Sequence, residues 1–486
     1  MPGNLYDLLV IGGGINGAGI ARDAAGRGLS VLLVEAADLA AATSSASSKL
    51  IHGGLRYLEQ YDFRLVAEAL AEREILLRIA AHLASPMRFV MPHVPELRPR
   101  WMIRIGLFLY DHLARRSVLP GSRQVRLDAP PYRDVLRPEF RHGFAYSDCR
   151  VDDARLVVAN ARDAAARGAH IRVRTQCVSA RRTAGRWHAV LSGGEEASAR
   201  AVVNVAGPWV KQVLNERLGQ PSRDEVRLVQ GSHIVVPRLY EGGHAYILQN
   251  DDRRVVFMIP FEERFTLIGT TEVPLQGDPA SVQASDAEVE YLCRAASRYL
   301  AQPVAPSAVR WRFAGVRPLY DDGSRDPSAV TRDYTLRVDD EAGAAPALSV
   351  FGGKITTYRR LAEHALEKLV PYFPMMKRAW TESAPFPGSE FADRDTAFGS
   401  LSARFPGLPG EVLRGVFRRH GALAPEVLGD GRLGEDYGAG LTEREVQYFV
   451  EREWATSAED VLWRRSKAGL HMSDAQRRRL LEVMGR

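Results

Sequence analysis

Residues 5–35 read LYDLLVIGGGINGAGIARDAAGRGLSVLLVE. The stretch opens with a largely apolar segment of strand length, which three glycines follow. Residues 15–27 are rich in alanine and predict a helix that ends at Gly28, and residues 30–34 predict a second strand. Strand, helix and strand together have the length of a βαβ unit, about 30 residues. We therefore expect a Rossmann-like parallel sheet to begin here.

The turn between this strand and helix carries a dinucleotide-binding pattern. Gly12, Gly14 and Gly17 form G-x-G-x-x-G, and Glu35 follows Gly17 by 18 residues. The first glycine makes the tight turn, the second lets the backbone approach a pyrophosphate, and the third lets helix and strand pack closely. The phosphates then lie at the positive end of the helix dipole. Glu35 would accept hydrogen bonds from ribose hydroxyls and repel a 2′-phosphate, which argues against NADP.

The same glycine spacing recurs at residues 429–434 (GDGRLG), where we predict only a loop between helices. No strand pattern precedes it, and a dinucleotide turn needs one. With one credible dinucleotide site, a flavin enzyme that also binds a nicotinamide nucleotide is not expected.

Composition excludes several classes of protein. The chain has 486 residues, 45% of them apolar and 26% charged, which excludes a disordered chain or a coiled coil. A net charge of +6 is too small to indicate nucleic-acid binding. The cysteines Cys149, Cys177 and Cys293 form no CxxC pair, so we expect a reducing, cytoplasmic compartment and no metal site. The N-terminus lacks the features of a signal peptide, and no apolar run approaches the ~18 residues of a membrane span.

Two later segments indicate that the chain returns to the nucleotide fold. Residues 201–206 predict a strand that meets a glycine turn at Gly207, and residues 348–353 predict another that ends in paired glycines. Lys354 follows, and residues 355–370 have helical periodicity, so we expect Lys354 and a helix N-terminus to stabilise negative charge there. Residues 38–58 form a loop rich in hydroxyl side chains that either contacts the cofactor or is an ordinary surface loop.

The remaining patterns predict two further units. Residues 232–236, 244–249, 254–260 and 265–271 are short strands, which predict an antiparallel roof over a substrate site. Helical patterns dominate from about residue 388 onward, which predicts a separate all-helical domain.

A local charge excess lies between residues 94 and 143, with ten arginines and five acidic residues. Within it, WMIRIGLFLYDHLARR interleaves apolar and basic side chains. Such a segment suits docking on anionic lipid, but a buried helix with a solvated basic flank would have the same pattern.

Several of these stretches closely resemble the aerobic, FAD-dependent glycerol-3-phosphate dehydrogenases. The resemblance runs from about residue 5 into the C-terminal helices. It is carried by IGGGINGAGIARDAAGRG, TSSASSKLIHGGLRYLE, RPRWMIRIGLFLYDHL, YSDCRVDDARLV, GSHIVVP, IGTTE, GVRPLYDD, TRDYTL and FGGKITTYRRLAEHALEKL. It implies non-covalent FAD, oxidation of sn-glycerol 3-phosphate to dihydroxyacetone phosphate and electron transfer to a membrane quinone. It also implies a homodimer that associates peripherally with the inner membrane, on its cytoplasmic face. Together with the charge pattern, we expect an anionic lipid surface as a partner and no nucleic acid.

The fold expected from this resemblance is α/β plus α, with the two-domain arrangement of the amino-acid oxidases and a helical C-terminal domain. The expected boundaries are 1–60, 145–225 and 345–387 for a discontinuous FAD-binding domain, 61–144 and 226–344 for the substrate-binding domain, and 388–486 for the C-terminal helical domain.

The resemblance also implies the residues of the site. Expected substrate contacts are Arg56, Tyr57, Thr270, Arg317 and Lys354. Expected cofactor contacts are Gly12, Gly14, Asn16, Gly17, Glu35, Ser47, Ser48, Lys49, Leu50, His52, Gly53, Val178, Gly207, Gly353, Lys354 and Thr356.

For the catalytic base we choose His233 over Arg317. An imidazole can accept a proton near pH 7, whereas a guanidinium cannot realistically lose one. Arg317 would instead stabilise the developing alkoxide. The alternative for His233 is a structural, hydrogen-bonded histidine. For the reaction, the alternatives are a glycerol-3-phosphate oxidase that uses O2, a related FAD-dependent amine or amino-acid oxidase, and a protein without catalytic activity.

Overall fold

The computed structural model describes residues 5–94, 99–252, 254–321, 333–340 and 343–485, without the side chains of residues 56, 59 and 60. Its strands, in chain order, are β1 (Leu5–Ile11), β2 (Val31–Val34), β3 (Leu50–Ile51), β4 (Ala84–Pro92), β5 (Arg123–Arg126), β6 (His142–Val151), β7 (His170–Arg172), β8 (Cys177–Thr183), β9 (Arg186–Leu191), β10 (Glu196–Asn204), β11 (Val226–Pro237), β12 (Ala245–Gln249), β13 (Val255–Phe261), β14 (Phe265–Gly269), β15 (Val273–Pro274), β16 (Trp311–Tyr320), β17 (Thr335–Asp339), β18 (Ala347–Phe351), β19 (Asp436–Gly438) and β20 (Leu441–Thr442).

The α-helices, in the same order, are α1 (Ile15–Gly26), α2 (Phe63–Ile79), α3 (Arg100–His112), α4 (Asp153–Ala166), α5 (Val210–Gln212), α6 (Asp286–Ser297), α7 (Tyr358–Leu369), α8 (Arg394–Arg404), α9 (Gly410–His420), α10 (Ala424–Leu428), α11 (Glu443–Glu453) and α12 (Asp474–Met484). Two π-helical turns, Val213–Arg217 and Asp460–Arg465, join them.

The first sheet has the strand order β17-β18-β10-β1-β2-β7, with the β8–β9 hairpin attached to β10. The contacts of β1 with β10 and β2, of β10 with β18 and of β2 with β7 are all parallel. Leu8 and Val10 of β1 pack toward α1, α4 and α7, whereas Leu9 and Ile11 pack toward the hairpin. Both faces are therefore buried, as a parallel sheet requires, and the predicted βαβ unit and Rossmann-like fold are confirmed.

The glycine turn after β1 has the geometry that the motif predicts. Gly12 has φ +121, a conformation that other residues rarely adopt. A Cβ at Gly17 would lie 1.9 Å from the carbonyl oxygen of Gly12, so α1 can approach the turn only because position 17 has no side chain.

The second sheet follows the order β15-β11-β14-β13-β12-β4-β6-β3, with β16 paired to β11 and β5 to β6. Its pairs are antiparallel except for that of β12 with β4. One face packs on α6 and the other on α2 and α3. This sheet is the expected roof over the nucleotide domain.

Three predicted domain boundaries do not follow the sheets. β3 pairs with β6 inside the second sheet, although residues 50–51 and 145–151 were expected in the nucleotide domain. β17 joins the first sheet, although residues 335–339 were expected in the substrate domain. The chain crosses between the sheets within these segments, and composition carries no signal of such a crossing.

The C-terminal part is mostly helical and has two hydrophobic clusters of its own. The β19–β20 hairpin is its one departure, among the described residues, from the all-helical expectation. Residues 429–434 form a loop between α10 and this hairpin, with a helix rather than a strand before them.

Candidate active site

A cavity of about 1230 Å³ opens between the two sheets. This exceeds the range of about 300–1,000 Å³ that is usual for a small-molecule site. Its walls come from the glycine turn, the hydroxyl-rich loop, the turn after β18 and the strands of the roof. Such a space suits an extended dinucleotide with a small substrate beside it.

Glu35 forms the polar wall at one end of the cavity. Its Oε2 accepts a hydrogen bond from the Gly13 N–H at 2.6 Å, and its Oε1 accepts one from the Ala37 N–H at 2.8 Å. Burial raises the pKa of this carboxyl despite those bonds. Each carboxylate oxygen keeps a second lone pair, so Glu35 can still accept from the hydroxyls of a ribose.

The start of α1 fits a phosphate group. Gly12, Gly14 and Asn16 line the cavity there. No acidic residue lies in the first turn of α1, so the positive end of its dipole is not neutralised from within the helix. Ser44 accepts a hydrogen bond from the Ile15 N–H at 2.9 Å and ties the hydroxyl-rich loop to the helix.

The hydroxyl-rich loop divides its side chains between the cavity and the interior. Ser47, Ser48 and Leu50 line the cavity, as expected for cofactor contacts. Lys49 does not: its Nζ lies 2.9 Å from both carboxylate oxygens of Asp153 and is buried with them. An unpaired ammonium would be costly in this interior, so Lys49 is satisfied by an ion pair and does not extend toward the cofactor.

The turn after β18 forms another part of the cavity wall. Gly353, Lys354 and Thr356 line the cavity, and the ammonium of Lys354 lies 3.9 Å from the ring centroid of Tyr57. Helix α7 begins only at Tyr358, because residues 355–357 form a turn first. Lys354 is therefore not at the helix N-terminus as predicted, and its own charge is the main positive feature of this turn.

His233, on β11, contacts the hydroxyl-rich loop. Its Nε2 lies 2.9 Å from the hydroxyl oxygen of Ser48, and its ring stacks on Phe313 at a centroid distance of 5.0 Å. Its Nδ1 is buried and has no hydrogen-bond partner among the described residues. Burial, followed by the charges of Lys49 and Arg317, holds the pKa of His233 well below its usual value, so the imidazole is neutral at physiological pH.

Arg317 lines the cavity from β16, the strand that pairs with the His233 strand β11. Its guanidinium donates to the hydroxyl of Thr270 at 3.1 Å and to Glu272 at 3.3 Å. The pairing of β11 with both β14 and β16 brings His233, Thr270 and Arg317 into one region of the roof.

A buried carboxylate, Glu288 on α6, supports this region from behind. It accepts hydrogen bonds from the hydroxyls of Ser232 and Thr271, both at 2.7 Å, and from the side chain of Gln230 at 2.8 Å. Burial alone would raise the pKa of Glu288, but hydrogen bonds, led by that from Thr271, outweigh it and hold the pKa below its usual value. Glu288 thus joins the residue before His233 to the residue after Thr270.

His52 lines the cavity near Lys354. Its backbone N–H donates to the Thr356 hydroxyl at 3.4 Å. Burial, and then the charge of Lys354, lowers the pKa of His52 to about 4. This imidazole is therefore also neutral near pH 7.

The structure brings most of the predicted site residues to one cavity. Those that line it are Gly12, Gly14, Asn16, Glu35, Ser47, Ser48, Leu50, His52, Tyr57, Gly207, His233, Thr270, Arg317, Gly353, Lys354 and Thr356.

Four predicted residues, whose side chains or backbone the structure describes, stand apart from this group. Gly17 and Gly53 lie in packed backbone, and Lys49 pairs with Asp153. Val178 is 46% exposed, because alternation along β8 turns its neighbour Cys177 to the cavity instead. The side chain of Arg56 lies outside the part of the chain that the structure describes.

Sequence reasoning missed the contribution of the C-terminal domain. Glu459, Trp463 and Arg464 all line the cavity, and Trp463 stacks on Trp311 of the roof at a centroid distance of 4.9 Å. It also missed Ser44 and Glu288. The adjacent arginines at 464 and 465 were the one available signal, and in an arginine-rich chain that signal is weak.

Comparison with known protein families gives two matches that follow the domains. Residues 7–359 match the model described as FAD dependent oxidoreductase, and residues 379–485 match the C-terminal domain of alpha-glycerophosphate oxidase. Among solved structures, a glycerol-3-phosphate dehydrogenase from Bacillus halodurans complexed with FAD aligns with a TM-score of 0.74 and 25% identity, covering 99% of this chain and 94% of that one.

Three curated relatives are similar over nearly their whole length. A glycerol-3-phosphate dehydrogenase of Pseudomonas aeruginosa is 55% identical over 98% of this chain and 94% of that protein. The aerobic glycerol-3-phosphate dehydrogenase of Escherichia coli is 52% identical over 98% of this chain and 96% of that protein. A D-erythritol 1-phosphate dehydrogenase of Brucella abortus is 49% identical over 98% of this chain and 97% of that protein. Since both the sequence and a cavity suited to FAD agree with these relatives, the chain belongs to the FAD-dependent glycerol-3-phosphate dehydrogenase family.

Proposed function

We propose that this protein oxidises sn-glycerol 3-phosphate to dihydroxyacetone phosphate with FAD as its cofactor, and delivers the electrons to a membrane quinone. One observation carries the reaction: a neutral imidazole, His233, and two cations, Arg317 and Lys354, open on one cavity beside a dinucleotide-binding turn. The cations suit a phosphorylated substrate, and the imidazole suits removal of a proton from an alcohol.

Lys354 is the first candidate to bind the substrate phosphate. Its ammonium sits over the ring of Tyr57, which orients it without neutralising its charge. Arg56, adjacent to Tyr57 in the chain, is the second candidate. The two cations together would match the dianionic charge of the phosphate.

The hydroxyl proton must leave as the alcohol becomes a ketone. His233 is our candidate for the base, and the position of Ser48 defines a route to it. Nε2 of His233 faces Ser48, so the tautomer that carries its proton on Nδ1 would accept the Ser48 proton at Nε2. The substrate hydroxyl would pass its proton to the oxygen of Ser48 while the proton of Ser48 moves to Nε2.

Arg317 has a different task. It stays positively charged throughout, and it would stabilise the negative charge that develops on the substrate oxygen. Thr270, which accepts from the same guanidinium, holds it in position and is a secondary polar contact for the substrate.

Bound FAD supplies the acceptor for the hydride that leaves C2 of the substrate. The residues that would hold it are Glu35 at the ribose, the N-terminal turn of α1 at the diphosphate, and the loops at 47–52 and 352–356 at the ring. Glu35 also makes a 2′-phosphorylated nucleotide unsuitable.

Helix α3 supports the membrane part of the proposal. Ile103, Leu107 and Tyr110 are buried, whereas Trp101, Ile105 and Phe108 are 63%, 54% and 60% exposed. Exposed Arg100 and Arg104 lie on the same helix. Large apolar side chains next to arginine fit an anionic lipid surface, which would bring the protein to the cytoplasmic face of the inner membrane. Of the described helices, none has both the length and the apolarity to cross a bilayer.

The resemblance further supports a homodimer as the working assembly and gives no role to nucleic acid. A glycerol-3-phosphate oxidase remains the second candidate, because it requires the same binding groups and differs only in the electron acceptor.

The decisive experiment is anaerobic. Adding sn-glycerol 3-phosphate to the purified flavoprotein should bleach the flavin absorbance, and a quinone analogue should restore it much faster than air does. D-erythritol 1-phosphate and glycine serve as comparison substrates. Bleaching by erythritol phosphate or glycine alone would refute the proposed substrate, and rapid reoxidation by air would favour the oxidase.

A further inference from the structure

The C-terminal domain forms part of the wall of the cofactor cavity. Arg464, in the π-helical turn Asp460–Arg465, lines the cavity together with Ala36, Ala37 and Thr175. These neighbours directly adjoin Glu35, the carboxylate suited to the ribose. Residue 464 lies outside residues 7–359, which match the FAD dependent oxidoreductase family, so that match assigns it no part in cofactor binding.

Arg464 is held in place and still keeps a donor group. Its Nε donates to Asp38 at 2.6 Å, and its Nη2 donates to Asp460. Its Nη1 has no hydrogen-bond partner among the described residues. Since the side chain is only 15% exposed and lines the cavity, that donor is available to a ligand there.

The carboxylates around Arg464 have other cationic partners. Arg465 binds both oxygens of Asp38, at 2.8 and 2.7 Å. Arg174 donates to Asp460 at 3.0 Å. Glu453, 3.9 Å from Arg465, is paired with Arg155. Three arginines (174, 464 and 465) thus share two aspartates (38 and 460), while Glu35 and Glu459 line the cavity beside them.

Asp38 connects this cluster to the glycine turn. Two residues further on, the Ala40 N–H donates to the carbonyl of Gly13 at 3.1 Å. The ion pairs of Asp38 with Arg464 and Arg465 therefore hold the start of the hydroxyl-rich loop, just after Glu35. Both arginines belong to the C-terminal domain.

We infer that the C-terminal domain is part of the FAD site, and that Arg464 donates from Nη1 to the adenosine diphosphate half of FAD, next to the ribose that Glu35 would bind. The diphosphate is the charged group of FAD at neutral pH, and guanidinium suits phosphate oxygens. The inference requires only that the chain binds FAD, and it is independent of the substrate.

The test is FAD affinity of the full-length apoprotein, measured by quenching of flavin fluorescence. Arg464→Met should weaken FAD binding about 10- to 100-fold, the loss expected for one hydrogen bond to a charged group. ADP, used as a competitor, should lose affinity by a similar factor, because it is the same half of the cofactor. The variant should fold, since Asp38 keeps Arg465 and Asp460 keeps Arg174.

Two further variants complete the design. Arg464→Lys keeps the charge but loses the guanidinium fork, so FAD binding should weaken by less than in Arg464→Met. Arg479→Met, which breaks an exposed ion pair with Glu435 in the same domain, is the matched control and should bind FAD normally. Unchanged FAD affinity in both Arg464 variants would overturn the inference. Weaker FAD binding with unchanged ADP competition would overturn the assignment to the adenosine diphosphate half.

Discussion

The hydroxyl oxygen of Ser48 lies 2.9 Å from Nε2 of His233, and both residues line the cavity. Position 48 belongs to the hydroxyl-rich loop, and position 233 to the roof, so the contact joins the two halves of the site. Through Ser48, the buried imidazole of His233 can accept a proton from a substrate that is bound in the cavity.

The first prediction concerns this pair. Ser48→Ala should slow anaerobic reduction of the flavin by sn-glycerol 3-phosphate, because the proton loses its route to Nε2. Loss of the base itself in His233→Gln should slow it about 10²- to 10⁴-fold. Stopped-flow absorbance measures both rates. Wild-type rates in His233→Gln, with substrate still bound, would show that another group accepts the proton.

The second prediction concerns pH. Since the pKa of His233 is held well below its usual value, the imidazole stays neutral, and able to accept a proton, as the pH falls through 6.5. The rate of flavin reduction at saturating substrate should therefore change less than about twofold between pH 7.5 and 6, where an unperturbed histidine would titrate. A fall in the rate at low pH with a midpoint near 6.5 would show that the pKa of His233 is not lowered.

The third prediction concerns Glu288. Glu288→Gln weakens the hydrogen bonds that hold Ser232 and Thr271, so His233 and Arg317 should be less well positioned. We expect kcat to fall about tenfold, the size of one such hydrogen bond, with FAD affinity unchanged. Glu290→Gln, at an exposed position of the same helix, is the control. Equal loss of FAD binding and kcat would indicate general destabilisation instead.

The fourth prediction concerns Lys354. Lys354→Met removes the ammonium over Tyr57, and KM for sn-glycerol 3-phosphate should rise about 10- to 100-fold as one charged contact is lost. Steady-state kinetics with an artificial acceptor measure the change, and Lys377→Met at an exposed site should leave KM unaltered. An unchanged KM in Lys354→Met would show that other cationic residues bind the substrate phosphate.

The fifth prediction concerns α3. Replacing Ile105 and Phe108 together by glutamate should weaken binding to vesicles that contain anionic phospholipid by roughly tenfold or more, because two apolar side chains no longer enter the interface. Cosedimentation measures the binding. Met375→Glu, at a residue that is 91% exposed elsewhere, should bind vesicles normally. Flavin reduction in solution should be the same in all three proteins.

The sequence by itself determined the nucleotide half of this protein. Gly12, Gly17 and Glu35 lie within one βαβ unit, where strand pairing and helix packing are local and only glycine fits the turn. Their places in this unit could be read from spacing alone.

Tertiary structure decided the rest, because the deciding contacts join distant parts of the chain. Lys49 pairs with Asp153, 104 residues away, and so turns inward from the cavity. Ser48 meets His233 across 185 residues, and Arg464 meets Asp38 across 426. The periodicity of a sequence indicates only which face of a helix or strand a side chain lies on. The packing of the two sheets and the C-terminal domain decides which distant residue that side chain contacts.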